Sequence, residues 1–429
     1  MMADGARIDE GLNLRDGFSS TDMVSLGGAR IGGDLDCVNG TINNEGGVAL
    51  NIERADIKGD VFLRGTFSAV GEIRMLNTVI GGDFECEGGT FRNSGGTTLN
   101  LSAARIEGNV ILAYGFSSDG TIRVLGCQVG GTLECQGGKF NTLIVDTSTV
   151  RGRFDWYHIQ DVRNVHLALR NTSVDAVVDE QASWPWSGNL DLDGFVYSRF
   201  ADGPTSAMDR MDWLGRQKNF TLQPYHQLSK VLREMGDETG AKEVLFQMER
   251  RSRFESRRRL IHAPARWLRS SEDSLSEVTI GYGIYPGNAV WELLGLMALG
   301  WVLHRRAQGA GLMVPTEKDA YIEFRHKGKA TDNYPPFSPL IYVLENCIPF
   351  IRFGQDDKWQ ADPSPLPASH LARAAGSKWT RLKSLFLTRL RNRMMLTAAL
   401  RWLRWGMICL GWLLATYLVA SLTGIIKVE

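Results

Sequence analysis

The chain has 429 residues, 48 Lys and Arg against 48 Asp and Glu, and 43% apolar content, which predicts two or three folded domains. Its six cysteines lie far apart, with neither a CxxC pair nor a Cys/His cluster of zinc spacing, which excludes a disulfide scaffold and a structural metal. The zero net charge conceals segregation, because basic residues collect in two stretches of the second half.

The first residues, MMADGARIDEG, lack a basic region followed by an apolar core, so no signal peptide is expected and the N-terminal domain is expected in the cytoplasm. A repeat follows at once. ADIKGDVFLRGTF, TVIGGDFECEGGTF, ARIEGNVILAYGF and CQVGGTLECQGGKF share one motif, anchored on Ile8, Ile31, Ile57, Ile80, Ile106, Val129 and Val150. Those anchors are 23, 26, 23, 26, 23 and 21 residues apart, a solenoid signature with alternating short and long coils. Within a coil, apolar and polar residues alternate as in a strand with one buried face. No coil buries that face alone, but coils stacked about 4.8 Å apart do. A β-helix is therefore predicted over residues 1–200. Of the 47 glycines, 27 fall in residues 1–150, whereas all 13 prolines come later. Glycine supplies left-handed corners, and proline would remove ladder hydrogen bonds.

Cys37, Cys86 and Cys135 occupy one motif position in alternate coils, with Leu63 and Leu112 between them. Two rungs, about 9.6 Å, is too far for a disulfide, so they are expected as small core residues. Asp34, Asp60, Asp83, Asn109 and Thr132 form a second ladder. One oxygen per coil is too sparse for calcium, and turn-forming side-chain hydrogen bonds are expected instead.

The repeat decays after Val150, leaving a last rung and two irregular ones that end near Phe200. Residues 201–270 read as helices, with Thr205 or Ser206 as an N-cap, Pro224 in a first turn and Gly236 as a stop. PYHQLSKVLREMG and TGAKEVLFQMERR form a capping hairpin. It runs into Arg250, Arg251, Arg253, Arg257, Arg258, Arg259, Arg266 and Arg269. Such a run fits nucleic acid or a membrane surface. The apolar stretch that follows favours anionic phospholipid, and no nucleic-acid partner is expected.

That stretch, Val278–Leu303, carries a single charge, Glu292, and assigns residues 271–306 to a first membrane segment. Glu292 reads either as a functional intramembrane acid or as a residue facing a partner or the interface near the helix start. Thr279–Gly283 resembles a potassium-channel filter. However, arginine-rich sequence precedes it where a pore helix belongs, and a glycine-rich helix entry explains it. Residues 307–377 hold eight prolines and form a connecting region that cannot be one regular helix.

Residues 378–429 read as a basic amphipathic helix, with Arg389, Arg391 and Arg393, followed by a second span at Trp405–Ile426 that has no charge over 22 residues. Two spans would leave the basic helix on the side opposite the N-terminus, against the positive-inside tendency. A re-entrant first segment would make the protein tail-anchored, and both arrangements remain open.

Taken together, the coils, the hairpin, GYGIYPGNAVWELL, FSPLIYVLENCIPFIRFGQDDKW and GWLLATYLVASLTGII resemble a family of bacterial membrane proteins. That family is pentapeptide-repeat-like in style and often labelled "membrane-associated oxidoreductase". The resemblance implies bacterial origin, a cytoplasmic β-solenoid at the inner membrane and two C-terminal membrane helices. The coils depart from strict five-residue repeats. No flavin, nicotinamide, haem or iron–sulfur motif supports the label, no catalytic or metal-binding residue carries over, and no cofactor is expected. The expected function is a non-enzymatic membrane-anchored scaffold or sensor that binds a cytoplasmic protein, with homo-oligomers possible in principle. The alternatives are an oligomeric channel or permeabilising effector and, third, the redox enzyme of the label.

Overall fold

Ile8, Ile31, Ile57, Ile80, Ile106, Val129, Val150, Val174 and Tyr197 stand one above another in a single parallel register. They mark nine rungs of a β-solenoid, seen in a computed structural model that describes residues 1–258, 270, 274, 277, 281–285, 287–327, 333–348, 350–363 and 379–422. The chain divides into two units, Met1–Phe254 and Glu255–Glu429.

Each rung contributes very short strands to two parallel sheets of 15 and 11 strands. Alternation sends every second residue inward, and stacking makes the inward residues into columns. Leu50, Ile73, Leu99 and Ile122 form one, all wholly buried. Phe67, Phe91, Phe116, Phe140 and Trp156 form another, with successive ring centroids 5.2–5.7 Å apart, within the favourable range for aromatic pairs. Cys37, Cys86 and Cys135 are buried free thiols in a third. Burial, with Asp36 adding a smaller push, raises Cys37 to about 12, so its reactive thiolate is scarce at neutral pH.

Two backbone devices set the coil. One corner is left-handed in successive rungs, filled by Gly28, Arg54, Asn77, Ala103, Gly126, Thr147, Asn171 and Gly194 with φ of 51–77°. In alternate rungs the backbone passes so close to the rung below that a Cβ on Gly32, Gly81 or Gly130 would stand 2.1–2.3 Å from a carbonyl oxygen. The polar ladder is also real, but its bonds run between rungs. Asp34 accepts from the Asp60 N–H at 2.8 Å, Asp60 from Asp83 at 2.6 Å, Asp83 from Asn109 at 2.6 Å and Asn109 from Thr132 at 2.8 Å.

Beyond Val150 the solenoid continues. Thr149–Trp156, Ser173–Asp179 and Val196–Asp202 stack in parallel as further rungs, with the expected irregularity present as register shifts after Val150 and after Val177, and the stack ends at Asp202, close to the expected Phe200. Short 3-10 turns at Val162–Asn164 and Gln181–Ser183 interrupt the sequence period without breaking the stack.

Three helices follow: α1 (Ala207–Gly215), α2 (Gln223–Glu234) and α3 (Glu238–Arg258). Ser206 caps α1 by accepting from the Asp209 N–H at 3.1 Å. Pro224 lies in the first turn of α2, and Gly236 ends it with φ of 91°. The helices close the last rung chemically as well as sterically. Gln223 accepts from Gly194 N–H at 2.8 Å and donates to Phe195 O at 3.2 Å, while Gln227 donates to Tyr197 O at 2.6 Å. Side-chain amides thus take the place of a tenth strand, as an otherwise open sheet edge requires.

In the second unit, α4 (Gly287–Gly309) and α8 (Trp379–Leu422) pack antiparallel. Ala289 clusters with Leu414 near one end, and Ala307 with Leu400 near the other. Between them the chain forms α5 (Lys318–Lys327), α6 (Pro339–Cys347), α7 (Gln355–Lys358) and an antiparallel pair joining Met313–Pro315 to Trp359–Ala361. The proline-rich connection therefore contains a small folded lobe, closed by the Arg325–Asp362 ion pair at 2.7 Å. The basic stretch and the apolar stretch expected on either side of Trp405 lie on one continuous helix, α8.

Candidate functional site

Among the described residues, one helical stretch is long and apolar enough to cross a membrane, Met395–Ala420 of α8. In a soluble body such a helix would be central, yet only 22% of its most apolar 18 residues are buried. Trp402, Trp405, Leu410, Trp412 and Val419 face outward, Trp402 being 77% exposed. Outward apolar groups on this scale require a cover other than water.

Within that stretch Arg404 is held by the lobe. Its guanidinium donates to Asn346 Oδ1 at 3.1 Å, lies 3.6 Å from Asp356 Oδ2 and sits 5.7 Å from the centre of the Tyr342 ring. One turn of residues therefore separates a polar, lobe-facing end of α8 from an uncharged remainder. Trp402 and Trp405 flank Arg404, the arrangement of aromatic and basic residues found at membrane–water interfaces. On α4, Trp301 stacks under Arg305 at 5.3 Å, and Trp291, Leu294 and Leu299 are exposed. Tryptophans at 301, 402 and 405 were the signal for this belt, and the charge pattern alone does not reveal it.

Glu292 lies half-exposed in the second turn of α4. Gly281–Gly283 forms a single 3-10 turn before that helix, with Tyr282 buried and its hydroxyl 3.0 Å from Glu277. Thr279, Ile280 and Pro286 of the filter-like motif lie outside the described residues.

The arginines expected at a membrane surface are distributed unevenly. Arg250, Arg253 and Arg257 share one face of α3 by helical spacing. Arg253 pairs with Glu249 at 3.3 Å, and Arg257 donates to Ser270 at 3.1 Å. Arg251 turns to the cap, donating to the Tyr225 hydroxyl at 2.9 Å. Arg258 ends α3 and Arg389, Arg391 and Arg393 lie in α8, all with side chains outside the described residues, as are Arg259, Arg266 and Arg269 entirely.

On the solenoid, outward positions are polar and largely paired. Arg64 reaches Glu85 at 2.9 Å, and Arg153 reaches Asp155 at 3.0 Å. Burial, reinforced by Asp155, raises the Glu134 carboxyl above the ordinary range. Burial also raises Glu85, against the opposing pull of Arg64. Among the described residues no three His, Cys, Asp or Glu side chains converge as metal ligands.

No protein-family model, curated protein or solved structure matches the chain.

Proposed function

We propose that the protein is a membrane-anchored, non-enzymatic scaffold or sensor, in which the solenoid presents a protein-binding surface at the cytoplasmic face of a bacterial inner membrane. The observation that carries this reading is the outward-facing apolar surface of α8, bounded at Arg404 by tryptophans and by a polar lobe. Lipid acyl chains are the cover that such a surface fits. The chain crosses the bilayer twice, because α4 lies antiparallel against the same stretch and exposes its own tryptophans and leucines. Arg250, Arg253 and Arg257 on one face of α3 meet anionic phospholipid headgroups of the cytoplasmic leaflet, and the basic first half of α8 meets headgroups of the opposite leaflet, against the positive-inside tendency.

The solenoid suits a scaffold for a physical reason. Every rung is joined to its neighbours by ladder hydrogen bonds and a continuous apolar core, with the Asp34–Thr132 ladder added over five of them, so its polar faces keep fixed spacings over about 40 Å. A partner meets a prearranged surface and pays little ordering entropy on that side. The glutamine-capped end leaves no free strand edge for another copy to extend.

Extraction of membranes at alkaline pH tests the anchor. The full-length chain is expected to stay with the lipid, and a chain lacking both residues 287–309 and residues 405–429 to be released. A full-length chain found wholly in the supernatant would sink the reading.

A further inference from the structure

We infer that α6 and the residues after it form a re-entrant element, which enters the hydrocarbon layer beside α8 and leaves on the side from which it came. The inference rests on the proposal that α8 lies in the bilayer.

The direction of α6 is fixed by its contacts with α8. Tyr342 lies against Arg404, Val343 clusters with Met407, and the Cys347 carbonyl oxygen comes within 2.3 Å of where a Cβ on Gly411 would stand. The two helices therefore run in the same direction. From Arg404 to Gly411 is seven residues, roughly 10 Å of helix rise, so α6 descends from the polar end of α8 to the level of the exposed Trp412. Gly411 admits α6 this closely because it has no side chain. Gly300 of α4 does the same on the other flank, where a Cβ would lie 2.8 Å from the Met407 sulfur and 3.1 Å from Val343.

The return is fixed by Gln355. Its amide donates to Pro336 O at 3.0 Å, and its carbonyl oxygen accepts from Ser338 N–H at 3.1 Å. Entry and exit are thereby stapled side by side at the lobe. Backbone groups on the returning strand would be costly in hydrocarbon if unpaired. Glu345, buried on α6, accepts from the N–H groups of Phe353, Gln355 and Asp356. The buried acid thus turns its charge to the chain that leaves. The other charge between Ser338 and Gln355 is Arg352, close to the stapled base, where a long side chain reaches headgroups by snorkelling.

What remains outward is apolar: Leu340 and Ile341 on α6, then Phe350 at 84% and Phe353 at 64% exposure. Leu410 and Trp412 are exposed on either side of Gly411, where the end of α6 meets α8, and the apolar character of both elements at that level points to lipid acyl chains as the occupant. Nine residues of helix reach about 13 Å, less than half of a bilayer core about 30 Å thick.

Nitroxide accessibility tests this in the full-length chain reconstituted into phosphatidylcholine–phosphatidylglycerol vesicles. Of the six cysteines only Cys409, on α8, is exposed, so the native chain labelled there reports on α8 itself. Phe350→Cys and Leu340→Cys, each combined with Cys409→Ser, report on the re-entrant element. Collision with oxygen is expected to exceed collision with a water-soluble nickel chelate several-fold at 409 and at 350, with a smaller excess at 340 near the base. If 409 favours oxygen while 350 favours nickel, the element lies in water and the inference fails while the anchor stands. If 350 is closed to both reagents, protein covers it, a second copy included, and the inference also fails. If 409 itself favours nickel, the anchor reading fails and takes the inference with it.

Discussion

The Asp179 carboxylate receives two hydrogen bonds of 2.7 Å from the Arg210 guanidinium, and neither side chain reaches solvent. Asp179 ends the strand of the eighth rung, and Arg210 comes from α1. Trp184 Nε1 donates to the same carboxylate at 2.8 Å, Pro204 O accepts from Arg210 Nε at 2.7 Å, and the Phe200 ring lies 3.6 Å from the guanidinium carbon. The charges are thus paired and their remaining hydrogen-bond capacity is used, the condition under which a buried ion pair is tolerated. Asp179→Asn and Arg210→Met each leave one charge buried without its partner, and each is expected to cost about 3–5 kcal/mol. The double variant is expected to cost clearly less than the sum of the two. Chemical denaturation of the four proteins completes the cycle, and strict additivity would show that the pair does not couple the cap to the solenoid.

The helices of that cap, with Ser206, Pro224 and Gly236 at their ends, were legible in the sequence, whereas the side chains that join them to the last rungs were not. The period of the motif named the columns from Ile8 to Val150 directly, because each coil repeats the same steric problem. It faded afterwards, because short 3-10 turns at Val162–Asn164 and Gln181–Ser183 changed the coil length. Gln223 and Gln227 have the composition of an ordinary wet helix face. Their role follows only from the unpaired edge of the last rung, which becomes visible once the rungs are counted. In the second unit, apolar length located α8, but the partnership of Arg404 with Asn346 and Asp356 joins residues 48 or more positions apart, which no local pattern carries.

Asp60 offers a test of the inter-rung ladder. Its Oδ1 accepts from the Asp83 N–H at 2.6 Å and would lie 1.9 Å from a Cβ on Gly82, so the carboxylate occupies the space that glycine leaves. Asp60→Ala leaves the Asp83 N–H without its acceptor, with an expected loss of about 1.5–3 kcal/mol. Asp60→Asn keeps an oxygen in the same place and is expected to lose less than half of that. Equal losses for the two variants, measured by thermal unfolding, would mean that the ladder oxygen contributes nothing specific.

The left-handed corner column allows strain to be separated from packing. Thr147 has φ of 56°, a region costly for a β-branched residue, and Thr147→Gly is expected to stabilise the solenoid by about 1 kcal/mol. Gly126, one rung earlier in the same column, has φ of 63° and open space where a Cβ would be. Gly126→Ala is therefore expected to lose about 1 kcal/mol from backbone strain alone. Unchanged unfolding midpoints for both would show that the corner relaxes freely.

Glu134 sets a pH dependence whose sign follows from its surroundings. Burial, and then the nearby Asp155, holds its carboxyl above the ordinary range, against the weaker pull of Arg153. Between the ordinary glutamate pKa, about 4.3, and this raised value, the folded chain binds more protons here than the unfolded one. Stability from this group therefore falls as pH rises through that window, and the penalty is complete above it. Glu134→Gln removes the penalty and is expected to raise the unfolding midpoint at neutral pH. That advantage should shrink as the pH is lowered through the window and vanish below the ordinary glutamate range. Thermal unfolding of both proteins across the acid range measures the difference, and an advantage that grew on acidification would reverse the assignment of sign.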